Sequence, residues 1–223
     1  MRRRFCLPVS TLLCLAVPAV GTAQQVGIIL GANVSTVSET FQAIKAITGA
    51  AVKTERRVGF NGGIFVNKSL LGPFSLQPEA HYSQTGVTYS VSNSSATVSA
   101  ALKVDYVEIP VLLRMDFGKG SPLHPFVYGG AGGAFRITCD ISTTAAANTV
   151  TKACSENTTS TSKDPIEKYD VSAIGGAGLA LSGLGRSFAL SARYSHGLSK
   201  VTTETTGAAP KNSVFSVQMA IGF

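Results

Sequence analysis

The chain has 223 residues, of which 44% are hydrophobic and 14% charged, with a formal net charge of +7. That length fits one domain, and no Lys/Arg cluster with interleaved aromatics accompanies the charge, so a nucleic-acid partner has no support. Beyond the first two dozen residues no apolar run approaches the roughly 18 residues of a spanning helix, so a membrane crossing requires a closed β-barrel, because lipid cannot satisfy open sheet edges.

Arg2, Arg3 and Arg4 precede an apolar stretch from Phe5 to Val20, and small residues follow at Gly21 and Ala23. This is the pattern of a secretory signal peptide cut after Ala23. Pro8 and Pro18 interrupt the stretch, and Leu13 stands before Cys14 where a lipoprotein acceptor needs a small neighbour. The expected organisation is therefore a cleaved segment, 1–23, and a barrel domain, 24–223. Losing three arginines takes the charge from +7 to +4. Cys6 and Cys14 leave with the signal, and Cys139 and Cys154 remain as a pair that an oxidising compartment is expected to join. No His or second Cys pair lies near them to complete a zinc site.

Apolar and polar residues alternate along the mature chain, which is the signal of strands. In 25–35, Val26, Ile28, Leu30, Ala32 and Val34 oppose Gln25, Gly27, Gly31, Asn33 and Ser35. In 57–69, Val58, Phe60, Ile64 and Val66 oppose Asn61, Gly63, Asn67 and Ser69; in 74–85, Phe74, Leu76, Ala80 and Tyr82 oppose Ser75, Gln77, Glu79, His81 and Ser83. Segment 102–117 sets Val107, Ile109, Val111, Leu113, Met115 and Phe117 against Glu108, Arg114 and Asp116. Segment 125–136 carries Gly129, Gly130, Gly132 and Gly133, which leave its faces unassigned. Segments 169–181 and 188–198 follow. The last strand bears Phe215, Val217, Met219, Ile221 and Phe223 against Ser216, Gln218 and Gly222.

Connections 70–73, 118–123 and 182–186 are short, whereas 36–55, 86–101, 137–168 and 199–212 are long and rich in Ser, Thr and Ala. Alternating short and long links predict an eight-stranded antiparallel up-and-down transmembrane β-barrel, with short periplasmic turns and long extracellular loops. Phe74, Phe117, Phe126, Phe188 and Phe223 fall near the short turns, and Tyr82, Tyr106, Tyr169 and Tyr194 near the long loops, as two interfacial girdles would. A soluble lipocalin also alternates, with its apolar face inward. The final stripe, 215–223, ending on an aromatic, resembles the signal that barrel-insertion machinery reads, and favours the membrane version. A short helix over 41–47, capped by Ser38, is expected in the first long loop.

Several stretches together resemble the PorT-like outer-membrane β-barrel family of Bacteroidetes-type bacteria: FSLQPEAHYSQTG at 74–86, YVEIPVLLRM at 106–115, PFVYGG at 125–130, DVSAIGGAGL at 170–179 and ARYSHGL at 192–198. His196 departs from the aromatic often found there, and the Cys139–Cys154 segment is outside the pattern. The resemblance implies the fold and an outer-membrane location. The secretion role of the namesake need not transfer.

Parity places Glu79, Glu108, Arg114, Asp170 and Arg193 in the lumen, where ionised groups need partners. They are expected to form a structural charge network, with Arg114 and Arg193 neutralising Glu79 and Glu108; a proton or small-ion path is the functional alternative. Glu79, His81 and Ser83 alternate on one strand about 6.6 Å apart, which makes hydrogen bonds along that strand awkward, and Ser195–His196 lies near an outer end. No nucleophile-elbow, zincin or phosphate-loop motif occurs, the glycine clusters serving curvature instead. No catalytic residue, metal or cofactor is therefore expected. The expectation is a non-enzymatic barrel with a structural, adhesive or envelope- and secretion-assisting role through its loops. Its partners would be outer-membrane lipid, the insertion machinery and unidentified envelope proteins. A narrow pore, a lipid-active enzyme and, if soluble, a lipocalin-like carrier are the competing readings.

Overall fold

Alternation with many small residues on the polar face lets each segment pair on both edges, and in the computed structural model the segments close into a ring. Residues 24–38, 51–92, 97–145, 148–154, 168–183, 185–199 and 211–223 are described. They form β1 (Gln24–Ser38), β2 (Ala51–Ser69), β3 (Phe74–Ser92), β4 (Thr97–Asp116), β5 (Leu123–Ala145), β6 (Asn148–Ala153), β7 (Tyr169–Gly183), β8 (Arg186–Gly197) and β9 (Lys211–Gly222). β1 pairs with both β2 and β9, β4 with β5, and β5 with β7, all antiparallel, so eight strands close the barrel and β6 stands outside the ring. No helix among the described residues is long and apolar enough to cross a membrane, which has no bearing on a barrel.

The faces sort as alternation predicts. Val58, Ile64, Ile109, Leu190 and Met219 are exposed on the outside, whereas Asn33, Asn61, Gln77, Glu79, Arg193 and Gln218 are buried within. Burying polar groups and exposing a band of large apolar ones inverts the arrangement of a soluble protein and suits lipid. The lipocalin reading, which needs an apolar interior, is overturned on this observation. β5, whose faces the glycines obscure, turns His124, Phe126 and Tyr128 inward, and Leu123, Val127 and Phe135 outward. Leu112, Phe126, Tyr128, Ile174 and Ala180 form a small apolar cluster inside the short-turn half.

The girdle assignment needs two corrections. Phe74, Phe117, Phe188, Phe223, Tyr169 and Tyr194 are exposed, but Phe126 and Tyr106 are buried and point into the lumen. Level along the axis is legible from distance to a turn, but facing depends on parity, and both residues sit on the inward parity of their strands.

All three short links are tight turns, and Gly72, Gly118 and Gly185 supply positive φ in them. The long-loop end differs from expectation. β3 and β4 stay paired to Ser92↔Thr97, through the stretch read as a loop, and β5 runs on to pair with β6 from Asp140↔Ala153 to Ala145↔Asn148. Pairing of β5 with β7, by contrast, ends at Phe135↔Tyr169, and that of β1 with β2 at Ser35↔Arg57. A five-stranded open sheet, β2–β3–β4–β5–β6, thus rises from one wall of the barrel. Hydroxyl pairs lace it across strands, Ser90 with Ser99, Ser142 with Thr151 and Thr144 with Thr149, at 2.9–3.1 Å. Ser- and Thr-rich composition reads as loop because it lacks an apolar face, yet strands standing in water need none. One bulge falls in β2 between Arg56 and Asn61 and another in β5 opposite Asp105 and Tyr106, both where the sheet leaves the ring. Cys139 and Cys154 are disulfide-bonded at the foot of the β5–β6 hairpin, with Cα atoms 5.4 Å apart. Segments 1–23 and 41–47, read as signal peptide and helix, lie outside the described residues.

Glycine is required at 176 by packing: a Cβ there meets the Tyr128 ring and the Ala192 carbonyl, whereas one at outward-facing Gly175 meets nothing within 4 Å. Gly176→Val should destabilise the barrel by about 1–3 kcal/mol and Gly175→Ala should not, as read from urea midpoints of the gel-shifting folded band. Equal midpoints would show that the ring is not packed as described.

Candidate functional site

The inward side chains fall into layers. At mid-height, β8 places Arg193 against Glu79 of β3: one guanidinium nitrogen donates to Oε1 and Oε2 at 2.9 and 2.7 Å. Gln77 donates to Oε1 at 2.7 Å, and His81 Nε2 lies 2.8 Å from Oε2, in contact but out of hydrogen-bond alignment. Arg193 Nε donates to the Tyr128 hydroxyl at 3.4 Å, with its guanidinium 5.3 Å from that ring's centroid. Glu79, His81 and Arg193 are each at most 4% exposed. Charges so far from water persist by mutual pairing.

Above this layer a chain of carboxamides crosses four strands. Asn61 donates to Asn33 Oδ1, Ser216 donates to the same oxygen at 2.8 Å, Asn33 donates to Ser83 Oγ at 3.0 Å, and Gln218 donates to Asn61 Oδ1 at 3.0 Å. Asn33, read in the sequence as one residue of the polar face of 25–35, is the hub of this chain. The polar faces of β1, β2 and β9 contain all of these amides, but parity does not reveal which strands meet across the lumen.

Toward the short-turn end, Arg114 donates through Nε and a terminal nitrogen to Asp116 Oδ1 at 3.0 and 2.7 Å and stacks 3.7 Å over the Phe126 ring. His124 Nε2 approaches the same oxygen at 3.4 Å, and Lys119 Nζ lies 3.9 Å from Oδ2.

The five expected lumen charges thus all face inward but do not form one network. Arg193 neutralises Glu79 as expected. Arg114 pairs with Asp116 rather than Glu79 or Glu108, because two residues along one strand is nearer than the mid-height layer. Glu108 lines the gap above that layer with His81 and Arg193. Asp170 lies at the same level across Ala134, with Oδ1 buried and unpaired among the described residues. Hydrogen bonds along a strand do form between Gln77 and Glu79 and between Arg114 and Asp116, two residues apart, whereas Glu79 and His81 are in contact without hydrogen-bond alignment. A rise-based spacing describes backbone positions, but long side chains on the concave face of a closed sheet lean together.

No Ser–His pair forms between Ser83 and His81, since Ser83 accepts from Asn33. Ser195 lines the lumen and neighbouring His196 turns to the lipid side, 3.2 Å from Ser213 Oγ and stacked on Tyr194. No carboxylate is among its contacts within the described residues. No group of three or more metal-ligating side chains occurs among the described residues.

Among the described residues, one gap lies below the Glu79–Arg193 layer and one above it, each with about 20 Å³ for water-sized occupants, room for a water. Arg193 and Gln218 line both and stand between them.

A family model described as outer membrane protein beta-barrel domain matches residues 22–203. The chain belongs to this family. It is an integral β-barrel protein of the bacterial outer membrane, so the short turns face the periplasm and the open sheet faces outward. Among solved structures, the outer-membrane protein OprG of Pseudomonas aeruginosa is 10% identical, with 90% of this chain and 95% of that one covered and a TM-score of 0.50, a likeness of fold. Neisserial surface protein A is 13% identical over 90% of this chain and 97% of that one, TM-score 0.46. Ail, the attachment invasion locus protein of Yersinia pestis, is 14% identical over 89% and 98%, TM-score 0.43. No curated protein matches the chain.

In this outer-membrane barrel, Glu79→Gln or Arg193→Met should each cost about 3–5 kcal/mol by stranding a buried charge, and replacing both by methionine should recover most of the loss. Urea titration of barrels folded in lipid vesicles checks this, and additive losses in the double variant would argue against a coupled pair.

Proposed function

We propose that this outer-membrane barrel works through its outward surface, as an adhesive or envelope-organising protein, and neither conducts solutes nor catalyses a reaction. The partition made by Glu79, His81 and Arg193 carries this reading. A lumen filled from the carboxamide chain to Arg114 leaves no continuous water path, and porins with aqueous channels use about sixteen strands. The outward sheet gives the surface a firm form, because it continues the barrel's own hydrogen-bond ladder and is cross-linked at Cys139–Cys154. The cross-link fits an oxidising compartment reached by way of the 1–23 signal segment. On the sequence motifs quoted above, the chain is placed with the PorT-like members of its family, and an envelope or secretion complex is the kind of partner it would serve.

Wild-type protein in planar bilayers should show no stepwise conductance. Replacing residues 139–154 by a two-residue turn should leave a heat-modifiable barrel while reducing attachment of expressing bacteria to protein-coated surfaces to that of cells lacking the protein. Regular conductance steps, or undiminished attachment, would sink the proposal.

Its biogenesis partner would be the insertion machinery, through the stripe Phe215, Val217, Met219, Ile221 and Phe223. This stripe is exposed on the lipid side for at least Phe215, Val217, Met219 and Phe223. Deleting Phe223 should lower the amount of gel-shifting barrel in the outer membrane, and an unchanged amount would remove the stripe's role as a signal.

A further inference from the structure

We propose that the periplasmic mouth of the lumen is a binding site for a small polar anion, carrying a carboxylate or a phosphate among groups that exchange hydrogen bonds. Below Arg114 the barrel opens into a cavity of about 390 Å³, which is unlike the water-sized gaps above. Its wall includes Gln25, Asn67, Ser69 and Ser187, so amides and hydroxyls face an occupant beside the apolar Ala180 and Phe223.

The charge on this wall is unbalanced. Arg114, Lys119 and His124 share one acidic side chain, Asp116, among the described lining residues. Asp116 Oδ1 is taken up by Arg114, and Oδ2 holds Lys119 at 3.9 Å, the limit of an ion pair, with the lysine side chain 38% exposed. One carboxylate cannot neutralise both Arg114 and Lys119, and the surplus positive charge faces the cavity.

The basic groups are also held in place. Phe126 fixes the Arg114 guanidinium from above at 3.7 Å, and Asp116 fixes its edge. The Ser121 carbonyl lies 3.2 Å from His124 Nδ1 and sets the ring's direction. Side chains fixed before an anion arrives lose little freedom on binding it, which favours recognition. A narrow, low-dielectric mouth further concentrates the field of its charges on what enters.

Two sources of such an anion exist in the periplasm: free phosphate and the carboxylate ends of cell-wall peptides. Isothermal titration of the full barrel in neutral detergent with inorganic phosphate and with N-acetyl-D-alanyl-D-alanine separates them. Saturable binding of either one supports the site, and the tighter of the two names the source. Lys119 lies in a turn and half in solvent, so Lys119→Glu should fold, and it should weaken binding by about tenfold or more, as loss of a charged contact does. Lys152→Gln, on the outward sheet, should leave affinity unchanged. Absence of saturable binding by the wild type, or equal affinity in Lys119→Glu, would overturn the proposal. Because the readout is periplasmic binding, it succeeds or fails independently of the outward-surface role.

Discussion

An eight-stranded barrel encloses too little space for a column of water, so every polar side chain that alternation sends inward must find its partner in another side chain. The rest of the structure follows from that constraint. Outward positions need only be apolar, and many residues serve. Inward positions must close a hydrogen-bond account between strands far apart in sequence, either with a neighbouring strand, as Ser216 does with Asn33, or across the lumen, as Arg193 does with Glu79. Bulky inward groups such as Phe65, Tyr128 and Arg193 then force small residues opposite them, and the glycine at 176 beneath Tyr128 is one result.

The two ends of the lumen depart from this closure in different ways. At mid-height, charge is matched and sealed, so the layer rigidifies the barrel and blocks it. At the periplasmic mouth the charges are unmatched and water has access. At the outer end two acidic groups, Glu108 and Asp170, lie at one level on either side of β5, with Arg136 at the next inward position of that strand. A single small barrel thus presents chemically distinct ends to two compartments, with a layer of paired charge between them.

Much of this was legible in the sequence. Eight strands, their order, the short turns and the lipid-facing parity follow from alternation and from the sorting of link lengths. The inward direction of Glu79, Glu108, Arg114, Asp170 and Arg193 follows from the same rule. What parity leaves open is partnership: it puts Arg114 inside but not beside Asp116, and Asn33 inside but not at the centre of a network. The first outcome turns on how two long side chains of one strand lean; the second depends on strand register and barrel stagger, which no local pattern records. The outward sheet was hidden for a different reason. Strands such as 87–92 and 138–145 lie beyond the ring and carry serine and threonine, so they resemble loops to any reading built on an apolar face.

The bulges at the rim have an effect on how the two halves can change. At the bulge in β5 one extra residue shifts the strand's phase, so that Thr138 stands opposite Asp105 while Arg136 stands opposite Tyr106. Below the shift, odd-numbered residues meet lipid; above it, even-numbered ones face outward. A similar phase slip in β2 lies between Arg56 and Asn61. The strand is thereby divided into two independently phased rulers. Residues can be gained or lost in the hairpin beyond without rotating a single lipid-facing side chain into the lumen, so the exterior is free to diversify under selection while the membrane-embedded wall keeps its registration.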